Sequence, residues 1–172
     1  DLTVVVLNRP RHEALIREIR ECGARIKLIQ DGDVAAAIAT ALPDTGVDML
    51  MGIGGAPEAV ITAAAMKCLG GEILTKLYAP DKDQQERAAN AGFKDLDETF
   101  CADDLAKGDG IVFSATGVTD GEMLRGVRFE GDKCVTESIA MRYRTGTIRR
   151  IITTHDLSRK TIRGSSGQEL RV

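Results

Sequence analysis

Tryptophan is absent from this chain of 172 residues, and aromatic residues make up only 3% of it. Any core must therefore be aliphatic, built from Val, Ile, Leu and Ala. Nor does any apolar run approach the ~20 residues of a membrane span, so none is expected, and no membrane partner with it. An excess of base is missing too. The formal net charge is −3 and the isoelectric point is near 5.5, which argues against a nucleic-acid footprint and its clustered positive charge. Histidine occurs twice, as His12 and His155, so a metal site would have to rely on carboxylates. The four cysteines (Cys22, Cys68, Cys101 and Cys134) are far apart, with no C-x-x-C pair and hence no zinc signal. They are too sparse for a secreted disulfide scaffold, and reduced cytosolic thiols are the reading that fits. There is no initiator methionine and no signal sequence; Asp1 leads straight into Leu2–Leu7, an expected core strand, so the chain reads as part of something longer.

What is present is ordinary for a soluble globular protein: 43% hydrophobic and 28% charged residues. The length suits one domain with a sizeable core. The first half alternates. A strand at Leu2–Leu7 precedes a helix over Pro10–Cys22, whose Leu15, Ile16 and Ile19 form an apolar stripe, with Gly23 as its stop. A strand at Arg25–Gln30 and the turn Asp31-Gly32-Asp33 lead to a helix over Val34–Leu42, stopped by Pro43. A third strand spans Val47–Ile53 and a third helix Ala56–Leu69; a fourth strand is expected at Glu72–Leu77 and a polar helix at Asp81–Ala91. This β-α-β-α rhythm predicts a parallel sheet covered by helices.

The second half differs. After a short helix at Ala102–Lys107 come a strand at Gly110–Ala115, a loop over Thr116–Gly121, and strands at Val127–Gly131, Cys134–Arg144 and Thr147–Thr154, joined by short turns. The expected fold class is α/β, one mixed and largely parallel sheet flanked by helices, with antiparallel strands in the second half. Residues 1–164 form the α/β unit, and Ser165–Val172 a frayed polar tail.

In open parallel sheets, ligands gather at the carboxyl ends of the strands. Three loops at such ends carry unusual residues. Arg9 and Arg11 flank Pro10 at a helix mouth. Cations there oppose the helix dipole, which hints at a bound anion, though a solvated surface pair reads as well. Asp31-Gly32-Asp33 is turn chemistry, with Asp33 as a cap for the next helix; alternatively one carboxylate accepts hydrogen bonds from sugar hydroxyls, and both readings can hold for different residues of the triplet. Gly52-Ile-Gly-Gly-Ala-Pro-Glu58 fails both the G-x-G-x-x-G fingerprint and the Walker A pattern. Its Glu58 stabilises a first helical turn or, alternatively, holds a hard cation beside a phosphate.

Taken together, Val5-Val-Leu-Asn-Arg-Pro-Arg-His12, Ile29-Gln-Asp-Gly-Asp33 and Gly52-Ile-Gly-Gly-Ala-Pro-Glu58, in this order and spacing, resemble bacterial class II fructose-1,6-bisphosphatases. Their cyanobacterial kin also act on sedoheptulose 1,7-bisphosphate. Ser114-Ala-Thr-Gly-Val-Thr-Asp-Gly121 resembles the same family, and the likeness covers nearly the whole chain but only about the C-terminal half of a member.

The resemblance implies the C-terminal α/β lobe of a lithium-sensitive, metal-dependent sugar phosphatase that hydrolyses the 1-phosphate of fructose 1,6-bisphosphate in gluconeogenesis. It further implies a cytoplasmic location, Mn2+ or Mg2+ as cofactor, an N-terminal lobe as partner and a homo-oligomer. By the same resemblance Arg9, Pro10, Arg11, Asp31, Gly32, Asp33 and Gly55 bind substrate, and Glu58 is a metal ligand. The remaining metal ligands belong to the N-terminal lobe of the family, so no catalytic acid or base is assigned here, and this segment alone is expected to be inactive. The competing readings are a non-catalytic sugar-phosphate or nucleotide-binding module and a purely structural α/β subunit.

Elsewhere the expectations are plain. His12 reads as a surface or capping residue, and His155 shows no partner. Lys76 and Tyr78 read as surface, Cys68 as core, and Asp120 as a turn residue.

Overall fold

The structure, a computed structural model, describes residues 2–159, 162–163 and 169–170. Its first half is built on strand β1 (Thr3–Leu7), which lies between β2 (Arg25–Ile29) and β3 (Met49–Leu50) in a parallel sheet of order β2-β1-β3. A strand so placed is covered on both faces, and this explains the run of valines. Val4 and Val6 face helix α1 (Glu13–Glu21) and pack on Ile16 and Ile19. Val5 faces the other way, toward Ala36 and Ala39 of helix α2 (Asp33–Ala39). All three valines are 2% exposed or less, and burial of each side chain contributes on the order of 1.5–3 kcal/mol. The small alanines of α2 let that helix lie close to the sheet.

Helix α3 (Ala56–Leu69) joins the two halves. The Glu58 half of a capping box starts it, since glycine has no side chain to reciprocate: Glu58 Oε2 accepts the Gly55 N–H at 2.7 Å. Gly70, at φ 71°, ends it in the left-handed conformation. Ala65 and Cys68 of α3 share a core with Ile38 and Leu42 on one side and with Met123, Leu124, Ile139 and Met141 on the other. Helix α4 (Lys82–Asn90) buries none of its residues and is capped by the Asp81 carboxylate, which accepts the Gln84 N–H at 2.8 Å. Helix α5 (Ala102–Leu105) is a single turn.

The single mixed sheet expected from the sequence resolves into two sheets, and the parallel one is the smaller. The second half forms an antiparallel sheet around β6 (Lys133–Arg142). On one side β6 pairs along its length with β7 (Thr147–Asp156), from Lys133↔Asp156 to Arg142↔Thr147. On the other, β4 (Val112–Thr116) and β5 (Arg128–Glu130) share its opposite edge. The hairpin of β6 and β7, ten residues to each strand and turned at Gly146 with φ 57°, supplies its own edge and needs no parallel strand beside it.

Two expected strands shrink. Glu72–Leu77 retains one antiparallel bridge, Thr75↔Phe100. Leu74 is 63% exposed, so the segment lacks the buried face that would hold it in a sheet. Val47–Ile53 bonds to β1 from Asp48 to Met51, whose N–H groups meet the Thr3 and Val5 carbonyls at 3.0 Å, with Met49 and Leu50 as the paired residues; the chain leaves the sheet at Gly52, where φ is +153°. Strand β8 (Ile162–Arg163) pairs antiparallel with β9 (Glu169–Leu170), and β9 falls within the tail expected at Ser165–Val172; the rest of Ser165–Val172 lies outside the described residues. No helix among the described residues is long and apolar enough to cross a membrane.

Candidate functional site

Because β1, β2 and β3 run parallel, their three following loops emerge at one edge. There they enclose a cleft of about 220 Å³. Arg9 and Arg11 line it from the first loop, Asp31, Gly32 and Asp33 from the second, and Gly55 and Glu58 from the third. Pro10 does not reach the lining; it opens the 3-10 turn that leads into α1.

The arginines are not free surface groups. Arg9 crosses to the second loop, where Nη2 donates to the Gln30 carbonyl at 2.7 Å and to Asp31 Oδ1 at 3.3 Å. The pair with Asp31 is open to solvent, the Asp31 side chain being 90% exposed, so it contributes no more than about 1 kcal/mol and a bound anion can displace it. Arg11 crosses to the third loop, and its Nε and Nη2 both donate to the Ile53 carbonyl, at 3.2 and 2.8 Å. A guanidinium carries five N–H donors, so each arginine keeps donors for a ligand while tying two loops together.

His12 corrects the sequence reading. It holds the N-cap position of α1, without a side-chain cap bond, but rather than a surface residue it is 1% exposed, with both ring nitrogens engaged. Nδ1 lies 2.8 Å from the Leu7 carbonyl oxygen, and Nε2 accepts the Ile53 N–H at 2.8 Å. A carbonyl can only accept and an amide N–H can only donate, so the ring is the neutral Nδ1–H tautomer. Room for it depends on Gly52, where a Cβ would stand 3.1 Å from His12 Cε1 and 3.2 Å from Nε2. Nothing near His12 in the sequence signals this burial, since its partner glycine is forty residues away.

The carboxylates sit opposite. Gly32, at φ 82°, takes the cap position of α2 that was expected of Asp33; Asp33 is the first helical residue, and its Oδ1 accepts the Val34 N–H at 3.0 Å. Glu58, held by the Gly55 N–H, approaches from the mouth of α3. Between them runs bare backbone: a Cβ on Gly54 would lie 3.1 Å from Asp33 Oδ2 and 3.3 Å from Glu58 Oε2. This neighbourhood of Asp33 and Glu58 is not visible in the sequence, where the two are twenty-five residues apart. Both offer the hard oxygen donors that suit Mg2+ or Mn2+. They make a partial set, since no group of three His, Cys, Asp or Glu able to hold a metal occurs among the described residues.

Other singled-out residues are structural. His155 Nε2 lies 3.0 Å from Thr136 Oγ1, which supplies the partner that the sequence did not show. Lys76 reaches Asp97 only at 3.9 Å, and Tyr78 is exposed. Cys68 is core, and burial pushes its thiol up. Asp120 accepts the Gly126 N–H at 2.9 Å within its turn. In the Ser114–Gly121 stretch, Gly117 is needed for close approach, because a Cβ there would stand 2.1 Å from the Arg125 carbonyl oxygen. Lys67 carried no sequence signal. Its side chain is 7% exposed, and its ammonium reaches Asp103 at 2.7 Å and the Ala106 and Gly108 carbonyls at 2.9 Å.

A cleft at the carboxyl ends of parallel strands, with guanidinium groups on one wall, carboxylates on the other and bare glycine backbone between, defines an α/β protein with a polar cleft where such sheets receive ligands. Comparison with known proteins narrows that class. The chain belongs to the family described as bacterial fructose-1,6-bisphosphatase, glpX-encoded, whose sequence model matches residues 1–155. It is 44% identical to the D-fructose 1,6-bisphosphatase class 2/sedoheptulose 1,7-bisphosphatase of Synechococcus sp. (strain JA-3-3Ab), across 90% of this chain and 48% of that protein. The protein of the same description from Synechocystis sp. (strain ATCC 27184 / PCC 6803 / Kazusa) is 43% identical over the same shares. The chain thus spans about half the length of the curated relatives it matches.

Proposed function

We propose that this chain is the α/β lobe of a class II fructose-1,6-bisphosphatase, of the lithium-sensitive, metal-dependent kind. With an N-terminal lobe it removes the 1-phosphate of fructose 1,6-bisphosphate, consuming water and yielding fructose 6-phosphate and inorganic phosphate. The observation that carries this reading is the convergence of Arg9, Arg11, Asp31, Asp33, Gly55 and Glu58 on one cleft in a chain of this family. The names of its relatives add sedoheptulose 1,7-bisphosphate as a second substrate. A role in gluconeogenesis, a cytoplasmic location and a homo-oligomeric state complete the proposal.

Each residue has a task that its chemistry suits. Arg9 and Arg11 bind phosphate through the N–H groups that their loop contacts leave over, and so orient the sugar. Asp31 and Asp33 accept hydrogen bonds from sugar hydroxyls. Gly54 and Gly55 present backbone with no side chain in the way, so a phosphate can come close. Glu58, with Asp33 beside it, supplies oxygen ligands to Mn2+ or Mg2+, and the N-terminal lobe supplies the others. When bound, the metal neutralises charge on the transferring phosphoryl group and lowers the pKa of an attacking water.

Glu58→Gln in the full-length protein tests the assignment. A glutamine oxygen still accepts the Gly55 N–H, so this cap survives and only the anionic ligand is lost. Phosphate release should fall by about a hundredfold or more with an unchanged circular dichroism spectrum. Release at the wild-type rate overturns the role of Glu58. Binding of fructose 1,6-bisphosphate with no phosphate release by the wild type would instead favour a non-catalytic binding module.

A further inference from the structure

Ile53 is the one residue of the glycine loop whose two backbone groups are both held by side chains of another loop. Its N–H donates to His12 Nε2 at 2.8 Å, and its carbonyl accepts from Arg11 Nε and Nη2 at 3.2 and 2.8 Å. His12 is in turn anchored to the end of β1 through the Leu7 carbonyl at 2.8 Å. The imidazole is buried and is absent from the cleft lining. It cannot touch a ligand in the cleft, yet it sets where the loop lies. Of the next residues, Gly54 stands between the Asp33 and Glu58 carboxylates, and Gly55 gives Glu58 its hydrogen bond.

We infer that His12, as the neutral Nδ1–H tautomer, is a positioning residue that fixes the Gly52–Gly55 backbone against the Arg9–Arg11 loop and so sets the affinity of the cleft for its ligand. The inference rests on the proposed reading of that cleft as a sugar-phosphate site. Its physical basis is that an amide buried without an acceptor is costly, so without Nε2 the Ile53 peptide turns to find another partner. Glu58 and the Gly54 backbone then move with it. A displacement of about 1 Å at such a site costs on the order of a hundredfold in rate.

Two substitutions divide the clamp. In His12→Gln the amide oxygen reaches the Nε2 position and still accepts from Ile53, while the bond to Leu7 is lost. In His12→Asn the amide nitrogen sits near the Nδ1 position and still donates to Leu7, while the Ile53 N–H is left without its acceptor. In the full-length protein, His12→Asn should weaken fructose 1,6-bisphosphate binding by about tenfold or more, with KM raised as well as kcat lowered. His12→Gln should recover most of that loss. Equal losses in the two variants, or none, overturn the inference, because a role in bulk stability alone would not distinguish them.

Should either variant fail to fold, the wild type decides. Nitrogen-15 spectra of the imidazole should show a neutral ring protonated on Nδ1, and the Ile53 amide should exchange slowly. A ring protonated on Nε2, or a fast-exchanging Ile53 amide, overturns the clamp. If the wild type binds no fructose 1,6-bisphosphate at all, the proposed function falls, and the spectra still judge the clamp.

Discussion

The two halves of this molecule spend their charged side chains differently. At the carboxyl end of the parallel sheet, Arg9 and Arg11 bond across to the backbone of neighbouring loops, at Gln30 and Ile53, and Arg9 adds only a solvent-open pair with Asp31. In the second half, charge meets charge: Arg150 pairs with Glu137 at 3.2 Å and Arg144 with Asp109 at 2.9 Å. A cation bound to a carbonyl keeps its charge uncancelled and its remaining N–H groups available. A cation bound to a carboxylate is neutralised. The first arrangement leaves a cleft that can attract a ligand, whereas the second closes a structure. The difference teaches where affinity and where stability reside, and substitutions can break it.

The largest effect should come from the shared core. Ile139 is fully buried against the α3 helix core, so Ile139→Ala should lower unfolding free energy in urea by about 2–5 kcal/mol. Ligand affinity measured below the transition should stay near wild type. Affinity that falls in step with stability would erase the distinction between the halves.

Next in size is Gly52→Ala. The residue sits at φ +153°, and its new Cβ would meet the His12 imidazole at 3.1 Å. The expected cost is about 1–3 kcal/mol in the same urea titration. Here, unlike at Ile139, ligand affinity should fall too, because the imidazole must shift. Unchanged binding would show that the glycine loop tolerates displacement.

The smallest effect concerns pH. The side-chain hydrogen bond from Lys67 to Asp103 holds the ammonium above its ordinary value of 10.5, against the opposing desolvation. A folded-state pKa raised in this way stabilises fully below 10.5, and that stability is lost as pH rises through the folded value. The thermal unfolding temperature should therefore fall as pH rises above about 10.5, and Lys67→Met should flatten that alkaline limb without touching phosphate release. An identical limb in the variant would remove Lys67 from the account.

Much of this was legible in the chain because it depends on neighbours in sequence. Helix α3 can be read in full, from Pro57 and Glu58 at its mouth to the glycines past Leu69. Parallel pairing follows from the β-α-β-α rhythm, and parallel pairing alone places the three loops at one edge. What could not be read depends on distant partners. Glu72–Leu77 has the composition of a strand, but composition does not say whether a sheet edge is within reach. The third strand looks seven residues long until Gly52 turns it out.

The sequence by itself therefore determined where the helices and most of the strands lie, Glu72–Leu77 excepted, and which loops carry arginine, aspartate and glycine. It did so because helix periodicity, glycine stops and cap preferences act over a few residues. Only the tertiary structure decided that Asp33 and Glu58 flank the same glycine backbone, that the antiparallel strands form a sheet of their own, and that His12 is buried with both nitrogens engaged. Those outcomes turn on which backbone groups lose water together. That is settled when elements thirty or forty residues apart meet, as His12 meets Gly52 and Ile53.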